Sequence, residues 1–247
     1  MHQKTTILGI PFFGGNMNDA IEVTKKGGLM LAPSGPGLAI DLKDPNYRQS
    51  LLAADIVIPD SGLMVLLWNI FHGNNFKRLS GLNFFKRFID LEEIKKTGTS
   101  FWIMPSEVEK QENIQWLKNE KGISLQNKDT YLAPMYPKQG KLEDETLLTL
   151  IKAHQPQFII INIGGGIQER LGHYLKENLN GNPTIICTGA AIAFLTNAQV
   201  SIPHWVDYVY LGWLFRCLQN PKKFIPRYWK AKRLAYLVIK YGKKSPF

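Results

Sequence analysis

Six short apolar runs rich in β-branched and aromatic residues, TTILGI, GLMLAP, DIVI, SFWIM, FIIINIG and TIICTG, recur along the chain with helix-length segments between them. None shows the inside/outside alternation of a half-solvated strand, so each suits a strand covered on both faces. Interleaved with helices, such runs predict an α/β fold, a Rossmann-like and largely parallel sheet flanked by helices. Helices are expected over residues 18–26, 83–96, 106–120 and 143–154, and Ser106 with Glu109 has the spacing of a capping box. No repeat or low-complexity linker interrupts this order.

With 247 residues, 45% of them hydrophobic, the chain can bury a proper core, which argues against a disordered or fibrous protein. Cys187 and Cys217 match neither a disulfide framework nor a metal-ligand spacing, and the five histidines lack the pairing of a zinc site. Free thiols in a reducing cytosol are the expectation. The start, MHQKTTILGIPFF, has an apolar run broken by Pro11 and no basic leader, so it reads as a first strand and not a signal. The longest uncharged run, residues 178–206, holds Pro183, Thr196, Asn197, Gln199 and Pro203, and reads as a buried strand-turn-helix instead of a membrane span.

The net charge of +10 is localised: after Asp207 come ten basic residues, from Arg216 to Lys244, and no acidic one, while the remainder is balanced at 20 and 20. This composition shift divides the chain into an α/β domain over residues 1–202 and a basic helical appendage over 203–247. From Pro226 a helix would gather Tyr228, Ala231, Leu234, Ala235, Val238 and Ile239 on one side. Arg233 and Lys240 fall on the other with Trp229, Lys230 and Lys232 lie at the margins, and Arg227 falls on the apolar side. A basic amphipathic helix with aromatic residues suits an anionic membrane surface. Nucleic acid would attract the same charges, but no nucleic-acid module accompanies them, so none is expected as a partner. A solvated surface helix is the third reading.

Open α/β sheets bind ligands at the carboxyl ends of their strands. Three such ends are unusual here: APSGPG after Leu31, PDSG after Ile58 and GGGIQE after Ile163. Asp60 is either a helix cap for the segment starting at Ser61 or a general base held at a strand end. Gly164, Gly165 and Gly166 could bring backbone amides to a phosphate, or form a mere flexible turn. They do not make the dinucleotide fingerprint, because Glu169 stands where its third glycine belongs. Gln168 and Glu169, just inside the next helix, are placed to meet sugar hydroxyls. Arg78, in KRLSG, means little alone.

In order, these segments resemble the WecG/TagA/CpsF family of bacterial glycosyltransferases, glycosyltransferase family 26. IPDSG matches its (I/V)PDG segment, RLSG its R-V-T-G and GGGIQE its G-x-P-K-Q-E. IPHWVDYVYLGWLFRCLQNPKKFIPRYW follows its A-P-x-W, G-L-E-W-L-Y-R-L, E-P-x-R and R-Y order. The resemblance spans nearly the whole chain. It implies a metal-independent, inverting transfer, without a cofactor, of a sugar from a UDP-sugar to a polyprenyl-diphosphate-linked acceptor at the cytoplasmic membrane face, and leaves homo-oligomerisation open. It also implies Asp60 as the base, with Arg78, Gln168 and Glu169 near the active site. Arg216 and Arg227 match arginines of a membrane-docking appendage that completes the site. The chain departs from the family where Ala32, Pro33, Ser34, Gly35 and Pro36 replace a T-P-N segment. Gly166 replaces a proline, Ile167 a lysine, Ala193 an aspartate and Gly212 a glutamate. A catalytically degenerate sugar-nucleotide-binding protein on the same scaffold is therefore one alternative, and a nucleic-acid-associated basic protein, suggested by the tail's charge, is the other.

Overall fold

The computed structural model describes residues 3–73, 75–189, 191–196 and 232–247. Its centre is a six-stranded sheet of Gly28–Leu31 (β3), Ile56–Val57 (β4), Ser100–Met104 (β5), Thr130–Leu132 (β6), Phe158–Ile161 (β7) and Thr184–Cys187 (β8). All are parallel, in the order β4-β3-β8-β7-β5-β6. Five of the runs become these strands. The edge strand β6 escapes sequence reading because Thr-Tyr-Leu is short and turns Leu132 to solvent.

TTILGI behaves differently. It folds into Lys4–Ile7 (β1) and, after a tight turn, enters Ile10–Phe13 (β2), an antiparallel hairpin outside the main sheet. Leu8 and Gly9 both have positive φ, 54° and 79°, as a two-residue turn matching strand twist requires.

The strands alternate their side chains between two cores. Leu29, Leu31, Phe101, Ile103, Ile159, Ile161, Ile185 and Cys187 enter one; Met30, Trp102, Met104, Phe158, Ile160 and Ile186 enter the other. Both faces being apolar is why the runs lacked polar alternation. The first face is covered by Gly35–Ile40 (α2), Pro45–Ala53 (α3), Gly62–His72 (α4), Glu145–His154 (α8) and Gln168–Asn178 (α9). The second is covered by Met17–Thr24 (α1), Gly81–Phe88 (α5), Glu92–Lys95 (α6) and Glu107–Lys121 (α7). Helix α9 lies so close to the sheet that a Cβ on Gly172 would stand 2.8 Å from Leu29 and 2.9 Å from Cys187.

Expected helix ends mostly hold, with one division. Residues 83–96 form α5 and α6, because Leu91 takes an extended conformation between them. Ser106 caps α7, its hydroxyl accepting the Glu109 N–H at 3.2 Å. A full capping box forms instead at Asn16 and Asp19.

The C-terminal helix, Lys232–Tyr241, packs along α4 and α2. Leu234, Leu237 and Val238 are buried in the first core. Amides of Leu8 and Gly9 in the hairpin turn donate to the carbonyls of Gly242 and Lys243 at 2.8 and 3.1 Å. Thus the end of the expected appendage is built into the α/β body, and two residues of its apolar side, Leu234 and Val238, face the protein. Arg216, Arg227 and the expected domain boundary lie outside the described residues. No helix among the described residues is long and apolar enough to cross a membrane.

Candidate active site

Strands β4, β3, β8 and β7 are consecutive and parallel, so their carboxyl ends bring PDSG, APSGPG and GGGIQE to one edge. Asp60 is not the cap of α4. Ser61 is, its hydroxyl accepting the Met64 N–H at 3.3 Å. Asp60 Oδ1 instead accepts the N–H of Gly81, the first residue of α5, at 2.9 Å. Arg78 donates its Nε to the Asp60 carbonyl at 2.6 Å and places a terminal nitrogen 3.4 Å from Oδ1. Among the described residues Oδ2 has no hydrogen-bond partner, and the side chain is 27% exposed. One oxygen is thus held while the other is available to a ligand.

Ser34 caps α2, its hydroxyl accepting the Gly37 N–H at 3.3 Å. It faces the glycine loop: a Cβ on Gly165 would lie 4.0 Å from both Ser34 Oγ and Glu169 Oε1. Gly164 and Gly165 are exposed, and among the described residues their N–H groups bond to nothing, which leaves two amides for an anion. Gly166 is buried with φ 85°, a conformation closed to proline, so its departure from the family pattern has a backbone reason.

Gln168 and Glu169 are 2% and 1% exposed and spend their polar atoms internally. Gln168 Oε1 accepts the Gly189 N–H at 2.7 Å, tying the β8 loop to α9. Glu169 Oε2 accepts the Gly166 N–H at 2.7 Å, and its Oε1 accepts from Gln168 at 3.3 Å. In this fold they tie together the loops that follow β7 and β8. Ala193 is buried in the short turn Ile192–Phe194 after β8.

Burial, aided by the nearby Asp41 charge and opposed by the Gly166 and Gln168 hydrogen bonds, raises the Glu169 carboxyl to about 7. Between its ordinary value of 4.5 and about 7 the native protein keeps a proton that the unfolded chain has released. Stability therefore falls as pH rises through that window and levels off above it. Glu169→Gln should remove this slope. The variant should exceed the parent by on the order of 3 kcal/mol at alkaline pH and match it in acid, read from urea midpoints. A parallel pH dependence in both proteins would refute the assignment.

Arg170 was missed by sequence reading. It is 3% exposed and donates at 2.7 Å to three carbonyls, those of Gly166, Gly140 and Pro137. Asp44 accepts the Gly140 N–H at 3.0 Å from the other side. No local pattern could reveal this, because Gly140 and Pro137 are 30 and 33 residues distant in sequence.

A cleft of about 870 Å³ opens beside Arg78, lined also by Lys4, Asn16, Trp68, Lys77 and Lys243. Another, of about 710 Å³, lies at the opposite strand edge around Gly27, Gln157 and Thr184, and among the described residues no carboxylate or imidazole lines it. Size alone therefore does not mark the site; the converging strand ends do. Among the described residues no three His, Cys, Asp or Glu side chains converge to hold a metal ion.

A parallel sheet carrying a pinned carboxylate and a glycine loop at its carboxyl edge defines a Rossmann-like α/β ligand-binding protein. The family model for the WecG/TagA/CpsF glycosyl transferases matches residues 5–246, and the chain belongs to that family of glycosyltransferases. It is similar to the N-acetylglucosaminyldiphosphoundecaprenol N-acetyl-beta-D-mannosaminyltransferase of Bacillus subtilis (strain 168), with 22% identity over 240 residues, covering 94% of this chain and 87% of that protein.

Proposed function

We propose that the protein transfers a sugar, N-acetylmannosamine or a related hexose, from a UDP-sugar to a polyprenyl-diphosphate-linked saccharide in surface-polysaccharide assembly. The acceptor carries N-acetylglucosamine in the activity for which the Bacillus subtilis relative is named. The observation that carries the reading is the Asp60 carboxylate, with Oδ1 bonded to Gly81 and Oδ2 available at the edge shared with the glycine loop.

In this reading an acceptor hydroxyl attacks the anomeric carbon while Oδ2 takes its proton. The bond to the UDP oxygen breaks on the opposite face, so configuration inverts, and the leaving diphosphate gains charge. Amides of Gly164 and Gly165 and the guanidinium of Arg78 are the groups proposed to meet that charge, without a metal. Arg216 and Arg227, outside the described residues, are proposed to serve the acceptor diphosphate. The protein is proposed to work at the cytoplasmic face of the membrane, where the lipid-linked acceptor would meet a cytosolic UDP-sugar.

The test is a screen of UDP-sugars against a short-chain polyprenyl-diphosphate-linked N-acetylglucosamine. One donor should give a disaccharide-lipid product and free UDP. UDP binding by the folded protein with no product from any donor would overturn the reading in favour of a degenerate binding protein, which the departures at Ser34, Ile167 and Ala193 would then explain.

A further inference from the structure

Helix α4, GLMVLLWNIFH, carries no aspartate, glutamate, lysine or arginine. A buried helix would explain that, but α4 buries only one side. Met64, Val65 and Trp68 enter the core, while Leu66, Ile70 and Phe71 are 46%, 63% and 52% exposed. Spaced i, i+4 and i+5, these three share the outer side of the helix, with the partly buried Leu63 and Leu67 beside them. An uninterrupted apolar stripe on the outside of a body is the mark of a surface that another phase or protein covers.

What lies beside it indicates the occupant. The C-terminal helix runs alongside α4 in the same direction. Near their starts, a Cβ on Gly35 would lie 2.9 Å from Ser61 and 3.5 Å from Leu234, and near their ends one on Gly242 would lie 3.1 Å from His72. Its inner side is spent on the core, but Lys232, Arg233, Lys240, Lys243 and Lys244 are exposed, with Tyr236 and Ile239 among them. Neither residues 62–73 nor 232–247 contain an acidic residue. Among the described residues of these two helices every charged side chain is a cation, and apolar side chains beside cations match the acyl-headgroup boundary of an anionic bilayer.

We infer that the outer face of α4 inserts into an anionic lipid surface, with the cations of the C-terminal helix meeting the headgroups beside it. This deepens the proposed function and rests on its lipid-linked acceptor. It adds to the contact expected of the basic tail, of which Leu234 and Val238 are buried and Ile239 is exposed, the helix that begins two residues after Asp60. At a rise of about 1.5 Å per residue, Leu66 and Ile70 lie roughly 6 and 12 Å along the helix from its first residue. The bilayer surface is thereby brought within a short reach of the carboxylate, at the level where a lipid diphosphate and its sugar emerge.

The full-length protein and the variant Leu66→Ser/Ile70→Ser/Phe71→Ser are compared by flotation with vesicles of phosphatidylcholine and phosphatidylglycerol. The triple variant should bind on the order of a hundredfold more weakly. Ile70→Ser, at the most exposed position, should show a smaller loss in the same direction. Turnover of a water-soluble, short-chain acceptor without vesicles should equal the parent's, which also shows that the variant is folded. Equal vesicle binding by parent and triple variant would overturn the inference. So would a parental dimer that the variant converts to monomer with vesicle binding unchanged, since the face would then join two copies. Absence of parental turnover on any soluble acceptor would strike the proposed reaction, a result separate from the vesicle measurement.

Discussion

Asp60→Asn should lower kcat by about 10²–10⁴-fold, the usual contribution of a positioned general base, and leave the fold intact. The substitution separates two roles of one side chain. Asn keeps an oxygen where Oδ1 accepts the Gly81 N–H at 2.9 Å, so the start of α5 stays joined to the end of β4. It replaces Oδ2, the oxygen without a partner among the described residues, by an amide nitrogen that cannot take a proton. Donor affinity and melting temperature should therefore remain near those of the parent. Asp60→Ala would lose the anchor as well and confound the two effects. Retention of full turnover by the Asn variant on a soluble acceptor would remove Asp60 from the chemistry.

Arg170→Met should destabilise the fold by about 3 kcal/mol, read from the urea midpoint. The guanidinium makes three charge-assisted hydrogen bonds, and the Gly166 carbonyl among its acceptors belongs to a buried residue. Methionine fills the apolar part of the space and supplies no donor. Solvent can replace part of the loss at Pro137, which is exposed, and at the half-buried Gly140, so the cost stays below the sum of three buried bonds. The glycine loop would lose its rear support, and the KM for the donor should rise more than kcat falls. An unchanged midpoint would show that Arg170 is dispensable.

The same region should respond to acid. Burial works to raise the Asp44 carboxyl, but the Gly140 and Asn46 hydrogen bonds and the Arg170 charge outweigh it and hold it below its ordinary value of 3.8. A depressed carboxyl stabilises the fold above its unfolded-state value, and that stability is lost as pH falls through the folded one. Asp44 thus weakens the loop in acid, whereas Glu169 weakens the fold as pH rises toward about 7. The two carboxylates act in opposite directions on neighbouring supports of one loop.

Legibility followed the range of the interactions. GLMLAP, SFWIM, FIIINIG and TIICTG announced strands because a chain buried on both sides of a sheet is apolar at every position. TTILGI has the same composition but holds Leu8-Gly9, and a turn with two positive φ values sent it into a hairpin. At the site, the positions of Asp60, Ser34 and the glycine loop were readable as strand ends. Their hydrogen-bond partners were not. Local sequence allows Asp60 to be a cap for its own helix or a base at a strand end, and its Oδ1 holds the first residue of α5, 21 residues away. Gln168 and Glu169 were expected to face sugar hydroxyls, but buried in α9 their polar atoms bond to Gly189, Gly166 and each other.

By itself, then, the sequence determined the parallel α/β sheet, the strand-end position of Asp60 and the concentration of positive charge at the C-terminus, because each is a property of composition and spacing along a short segment. Only the tertiary structure decided which carboxylate oxygen is held, that Arg170 braces the glycine loop, and that Leu234 and Val238 pack inward while Leu66, Ile70 and Phe71 remain outside. The physical reason is that an amphipathic pattern states which side of a helix is apolar, while the surface that side meets is set by chain segments far away in sequence.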